Sequence, residues 1–332
     1  MKDRRASQRL GWLLPSVVIY HSLNRVLKKS GPCCNIGCLK FQKSRLHFSA
    51  YKMEATGSQD TSLLIIGAGE LGKRIAVQWK ARFSSRVLAE TRTTKNHSEL
   101  NHLDVEPRLR DDPQPKPFPY VVFCASPRGN NNYVDEVKRA IYLWQGDGNF
   151  VFTSSGSVYR QNNGEVVDER TPTAISQDSG SSSQALLIAC ENEVLQSGGN
   201  VIRLAGLYSK DRGAHAYWLR TGQVRGNPKA LVNLIHYDDA ASLVICVLCR
   251  QDLRSQIFLG SDSHAISRQD ICHWGQQLYS TLPFPSFVEN DHNEKGKIYN
   301  NTLTRTTLSE WSCKYKSFED FVLQHISTNE NK

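Results

Sequence analysis

The chain has 332 residues, 39% hydrophobic and 22% charged, an ordinary globular composition with room for one large α/β domain and an appended lobe. The net charge of +9 would point to nucleic acid or an anionic membrane if it were spread over the whole chain. It is not: residues 1–52 hold eleven Lys/Arg and one acid, Asp3, whereas residues 53–332 hold 30 basic and 31 acidic residues, a near-neutral body that argues against a nucleic-acid footprint.

Residues 1–52 read as a targeting leader, rich in Arg and Lys, with several Ser and almost no acid. Its apolar run "GWLLPSVVIY" contains Pro15 and is shorter than the ~18 residues of a membrane span. No small-x-small cleavage site follows it, so a secretory signal fits less well than organelle import. A start at Met53 would instead leave a cytoplasmic protein. Residues 53–61, "MEATGSQDT", form a polar linker. "CCNIGC" (Cys33, Cys34, Cys38) lies in the leader, and Cys246 and Cys249 fall in an apolar helical run. No second Cys or His pair completes a metal site, so neither zinc nor a disulfide framework is expected.

"SLLIIG" (62–67) is a continuous apolar run, the mark of a strand buried on both faces. "ELGKRIAVQWKARF" follows with helical spacing. Strands are expected at "RVLAET" (86–91), "PYVVFCAS" (119–126), "NFVFTSS" (149–155) and "NVIRLAGLY" (200–208), with helices at 133–144 and from 181 onward. The alternation implies parallel pairing and a Rossmann-type doubly wound α/β sheet, with residues 62–210 as its core. Residues 211–332 read as mixed: "AHAYWLRTG", a strand "LVNLIH", a helix "DDAASLVICVLCR", a strand "QIFLG", a helix "SRQDICHWGQQLY" and "KIYNN". This part would complete the core and form a small mixed substrate lobe. The connection 156–183 is long, and such loops are often functional.

"GAGELG" sets Gly67, Gly69 and Gly72 in the G-x-G-x-x-G spacing of a dinucleotide loop: tight turn, close approach to pyrophosphate, and close helix–strand packing. The helix opening at Glu70 and Leu71 would aim its free N–H groups at the phosphates. Glu90 is 23 positions after Gly67, where an acid accepts the ribose 2′-OH of NAD, and Arg92 stands where a guanidinium pairs with the 2′-phosphate of NADP. With Lys95 adding charge, the balance tilts to NADP, with NAD as the alternative.

From "FVFTSSGSVYRQNNGEVVDERTPT" onward the chain resembles the extended short-chain dehydrogenases/reductases, the NAD-dependent epimerase/dehydratase group. The matching residues are Ser154, Ser155, Val158, Tyr159, Asp168, Glu169, Thr171 and Pro172; Arg160 replaces the usual Gly. "VVFCASP" resembles the family's fourth strand, which implies that Ala125 and Ser126 pass the cofactor. "RLAGLYSKDRG" is similar to the segment beside the nicotinamide, which implies a cofactor contact at Leu207, as at Ser154. "NLIHYDDAASL" resembles a strand-to-helix junction of the family. The resemblance spans roughly residues 62–325 and is nearest to atypical YeeZ-like members and their plant relatives with plastid leaders. It implies a chloroplast protein, with the mitochondrion as alternative, acting as monomer or homodimer on a nucleotide sugar or other small polar carbonyl compound.

The family carries a Tyr, a Lys four residues later, and a Glu four residues after that. Glu191 in "SSSQALLIACENEVL" matches the Glu, which puts Leu187 at the Lys position and Ser183 at the Tyr position. Leucine holds no charge, and serine is too weak an acid to replace a phenol unaided. Ser155 matches the catalytic Ser. Tyr159 and His215 are the candidates for a relocated acid, with Tyr208, Arg212 and Tyr217 in the same region. His236 reads as a structural strand-end residue, with Asp238 or Asp239 as cap. An oxidoreductase or epimerase that moved its acid, and an inactive dinucleotide-binding regulatory or assembly protein, both fit.

Overall fold

The computed structural model describes residues 60–173, 182–288 and 294–330. The leader and residues 53–59 of the linker lie outside them. β1 (Leu63–Ile66) is buried along its whole length. Alternate side chains go to opposite faces: Leu63 and Ile65 join one apolar cluster, Leu64 and Ile66 the other.

Then come α1 (Glu70–Phe83), β2 (Val87–Thr91), α2 (His97–His102), β3 (Glu106–Leu109), β4 (Tyr120–Phe123), α3 (Tyr133–Tyr142) and β5 (Phe150–Ser155). The middle of the chain forms β6 (Asn163–Val167), α4 (Ser182–Gln196), β7 (Asn200–Leu204), β8 (Gly206–Tyr208), α5 (Ala214–Thr221), β9 (Gln223–Arg225), β10 (Leu231–Val232), β11 (Leu234–His236) and α6 (Tyr237–Cys249). The last elements are β12 (Ile257–Gly260), β13 (Ile266–Ser267), α7 (Arg268–Leu278), β14 (Ser286–Val288), β15 (Gly296–Tyr299), α8 (Thr302–Thr307) and α9 (Phe318–Glu330).

The main sheet has seven strands in the order β12-β7-β5-β4-β1-β2-β3, every neighbour parallel. Chain order reverses between β1 and β4, so a crevice opens outside their carboxyl ends. Helices α1 and α6 cover one face and α3 and α4 the other. The fold is therefore the Rossmann-type doubly wound sheet that the alternation implies. A second, four-stranded sheet, β13-β10-β15-β6, mixes parallel and antiparallel pairs.

Several elements differ from the sequence reading. "NVIRLAGLY" is two strands: the backbone leaves the main sheet at Ala205, and β8 pairs with β11 instead. "LVNLIH" divides at Asn233, whose amide donates to Lys297 O (2.8 Å) and accepts from Tyr299 N (3.0 Å). The long connection contains β6, which pairs with β15 in the smaller sheet. β3 lies outside the strands read from the sequence; as the outermost strand of the sheet it tolerates the donor that Pro107 lacks. Among the described residues no helix is long and apolar enough to cross a membrane, and no group of three or more His, Cys, Asp or Glu is placed to hold a metal.

Candidate functional site

The three loop glycines meet different surroundings. Gly67 has φ +100°, and a Cβ there would lie 2.4 Å from the Ala125 amide nitrogen. A Cβ on Gly72 would lie 2.6 Å from Gly67 O. Both are required by packing. Gly69 is different: it is exposed and extended, and a Cβ on it would meet nothing within 4 Å. The loop thus leaves room at one glycine for something that is not protein. α1 starts at the next residue with no side chain capping it, so its first-turn amides have no side-chain acceptor. That combination fits a pyrophosphate. The Leu71 side chain turns into the core, which leaves only its amide for such a contact.

Glu70 draws three cations: Arg74, Lys73 (3.8 Å) and Arg212 (3.3 Å). Partial burial alone would raise its carboxyl, but the Arg74 bond and the surrounding charges hold it below the ordinary range. Arg74 Nε also reaches Asp238 (2.8 Å), joining α1 to α6.

At the end of β2, Glu90 is buried (2% exposed) and paired with Arg139 and Arg108 (3.3 Å to the latter). Its carboxylate is held by these two arginines. Arg92 is exposed and donates to the carbonyls of Gly129 (3.1 Å) and Arg128 (3.4 Å), so it reaches from the end of β2, past β1, to the loop after β4. Ala125 packs on Gly67, and Ser126 is exposed on that same loop.

The end of β5 divides its serines. Ser154, for which the resemblance implied a cofactor contact, is buried and donates to Glu191 (2.5 Å). Ser155 is half-buried; its Oγ accepts from Ser157 N (3.2 Å) and caps the short turn Gly156–Val158, leaving the hydroxyl proton free to donate. Tyr159 does not face the cleft. It is fully buried, its hydroxyl accepts from Arg203 (3.2 Å), and burial pushes its phenol up to about 12 despite the adjacent guanidinium.

Another phenol comes to this strand end from β15. A Cβ on Gly156 would lie 1.9 Å from the Tyr299 hydroxyl, so the ring fills the space that only glycine leaves beside Ser155. Burial raises the Tyr299 phenol. Tyr299 also lines a cavity of about 550 Å³ with Asp262, Asn300, Asn301, Arg305 and Lys316, where the edge strand β12 meets the smaller sheet. Sequence reading missed Tyr299; the pairing of "KIYNN" with β6 that delivers it has no local signal.

The α4 register places Ser183 at the surface and Leu187 in the apolar cluster with Phe152, Val158 and Tyr159. Glu191 accepts from Arg203 Nη2 (2.7 Å) and from Ser154. Leu207, on β8, is half-buried against the opposite cluster. Arg203 was not singled out beforehand, although an arginine inside the buried strand "NVIRL" demands a carboxylate partner.

His215 is a core residue. It is 1% exposed, its Nε2 lies 3.0 Å from Lys210 O, and Phe318 packs on its ring. His236 is itself the cap of α6, accepting from Asp238 N (3.1 Å); Asp238 and Asp239 sit inside the first turn instead. Tyr208 is fully buried and donates to Ser317 O (3.4 Å).

Burial pushes the His215 imidazole down from 6.5 to about 4 and that of His236 to about 3. Only the unfolded chain then takes up these protons near pH 6, so the stability they support is full above pH 6.5 and is lost as pH falls through their folded values. Asp239 and Asp262 are raised by burial to about 6 and about 8 and act in the opposite sense. His236→Asn keeps a capping acceptor and removes one titration. Wild-type urea midpoints should fall more steeply than the variant's on acidification below pH 6.5, because the Asp contributions cancel in the difference. Parallel curves would rule this out.

The main sheet, its helical cover and the glycine loop at the β1–α1 turn define a Rossmann-type protein. Solved structures share the fold at low identity. A functionally unknown conserved protein from Silicibacter pomeroyi DSS matches with TM-score 0.65 and 18% identity over 80% of this chain and 98% of that one. A putative NAD-dependent epimerase/dehydratase from Methylobacillus flagellatus matches with TM-score 0.64 and 18% identity, covering 82% and 100%. The dTDP-glucose 4,6-dehydratase of Bacillus anthracis, solved in complex with NAD, matches with TM-score 0.61 and 14% identity, covering 81% and 97%. No protein-family model and no curated protein matches the chain.

Proposed function

We propose that the chain binds NADP, with NAD as the alternative, and is an oxidoreductase or epimerase acting on a nucleotide sugar or another small polar carbonyl compound. The observation that carries this is the open Gly69 above the uncapped start of α1. Gly67, Gly69, Gly72 and the amides of Glu70 and Leu71 would hold the pyrophosphate. NADP is favoured because Glu90 is spent on Arg139 and Arg108, while Arg92 stands exposed at the same strand end. The likeness to a dTDP-glucose 4,6-dehydratase solved in complex with NAD supports the ligand class.

The bound nicotinamide would supply or accept a hydride. The chain's part is to hold the substrate oxygen and move a proton. Ser155 has a free hydroxyl proton for that oxygen. Tyr299 brings a phenol to the same strand end and replaces Tyr159 and His215 as the candidate donor. A phenol carries its proton at neutral pH and so could give it in reduction, in which a carbonyl oxygen gains a proton, although burial raises this one and weakens it as an acid.

A second reading, a dinucleotide-binding protein without turnover, is favoured by one observation: Leu187 is locked in the core where the family keeps its Lys. One experiment separates the two. The protein is titrated with NADPH and NADH, and cofactor oxidation is then followed over a panel of sugar nucleotides and aldehydes. Turnover that falls about 100-fold in Ser155→Ala or Tyr299→Phe, at unchanged cofactor affinity, supports catalysis by these groups. Tight binding with no turnover on any substrate supports the second reading.

A further inference from the structure

Arg212 lies in the turn between β8 and α5, whose ends pair through Ser209 and Arg212. Its side chain leaves that turn and crosses to α1, where Nε stands 3.3 Å from Glu70 Oε2. Glu70 directly follows Gly69, the glycine with open space in front of it. The ion pair therefore ties the β8–α5 turn to the lip of the phosphate loop.

Three features make this contact releasable. Arg212 is 45% exposed, so it is not pinned by packing. Glu70 is also held by Arg74 and Lys73, so its carboxylate stays neutralised if Arg212 leaves. Apart from Glu70, Arg212 has no carboxylate partner among the described residues. A diphosphate entering over Gly69 brings negative charge beside this guanidinium, and an arginine fork suits phosphate oxygens better than one edge of a shared carboxylate.

We propose that Arg212 is a pyrophosphate latch: it rests on Glu70 in the free protein and transfers to the diphosphate of a bound dinucleotide, drawing the β8–α5 turn over the phosphate loop. This rests on the dinucleotide-binding reading given above. It adds a ligand from outside the glycine loop and couples cofactor binding to the turn that leads into α5.

The test is calorimetric titration of the full chain with three probes: NADPH, ADP-ribose, which keeps the diphosphate but has no nicotinamide, and adenosine 2′-phosphate, which has no diphosphate. Arg212→Ala should weaken NADPH and ADP-ribose by about tenfold and leave adenosine 2′-phosphate unchanged. Arg212→Lys should recover part of the loss. Glu70→Gln, which removes the competing charge, should tighten both diphosphates. Wild-type binding that Arg212→Ala leaves unaltered would overturn the latch alone, as would an equal loss for adenosine 2′-phosphate. Failure of the wild type to bind NADPH or ADP-ribose would overturn the dinucleotide reading itself, and the latch with it.

Discussion

Glu191→Ala is expected to destabilise the protein by about 3–5 kcal/mol, the usual cost of leaving one member of a buried ion pair without its partner. Glu191 and Arg203 are 2% and 4% exposed, and the carboxylate also accepts from Ser154. Removing it strands a guanidinium between α4, β5 and β7, with the Tyr159 hydroxyl as its remaining hydrogen-bond partner among the described residues. Replacing both partners with apolar residues of similar size, Glu191→Leu with Arg203→Met, should cost less than the single change, because no buried charge remains. Urea unfolding of the single and double variants checks this. A double variant weaker than Glu191→Ala would show that the pair attracts by more than its desolvation costs.

Glu191, on which the resemblance sets the α4 register, thus has a structural task in this chain. The start of α4 offers an exposed Ser183 and a buried Leu187. The polar network that remains ties α4 to the sheet.

Gly69→Val should abolish dinucleotide binding without harming the fold. The position has φ −78° and ψ −159°, which any L-residue adopts, and its Cβ would stand in open space. The added methyls would occupy the place of the pyrophosphate. NADPH affinity should fall by about 100-fold or more, roughly 2.7 kcal/mol, with an unchanged melting temperature. Gly67→Ala is the contrasting control: its φ of +100° and the 2.4 Å approach to Ala125 predict loss of stability as well. If Gly69→Val binds NADPH as the wild type does, the open glycine is not the pyrophosphate position.

Most of the main sheet is legible in the chain, the outermost strand β3 excepted. Four-residue apolar runs such as "LLII" can be buried on both faces only between two helical layers, and alternation with amphipathic helices requires parallel crossovers. The glycine loop is legible too, because "GAGELG" lies within a single β–turn–α unit, although the close approach of Ala125 to Gly67 comes from the loop after β4. The relocated side chains were decided by tertiary structure. Whether Tyr159 faced a cleft or the core depended on Arg203, 44 residues away. The pairing of Glu90 depended on Arg139, 49 residues away. Tyr299 reaches Gly156 because β15 pairs with β6, and Arg212 reaches Glu70 because β8 leaves the main sheet at Ala205. A hydrogen-bonding side chain goes where its partner is, and partners distant in sequence leave no periodicity to read; apolar burial follows the local repeat of strand and helix, and that repeat is written in the chain.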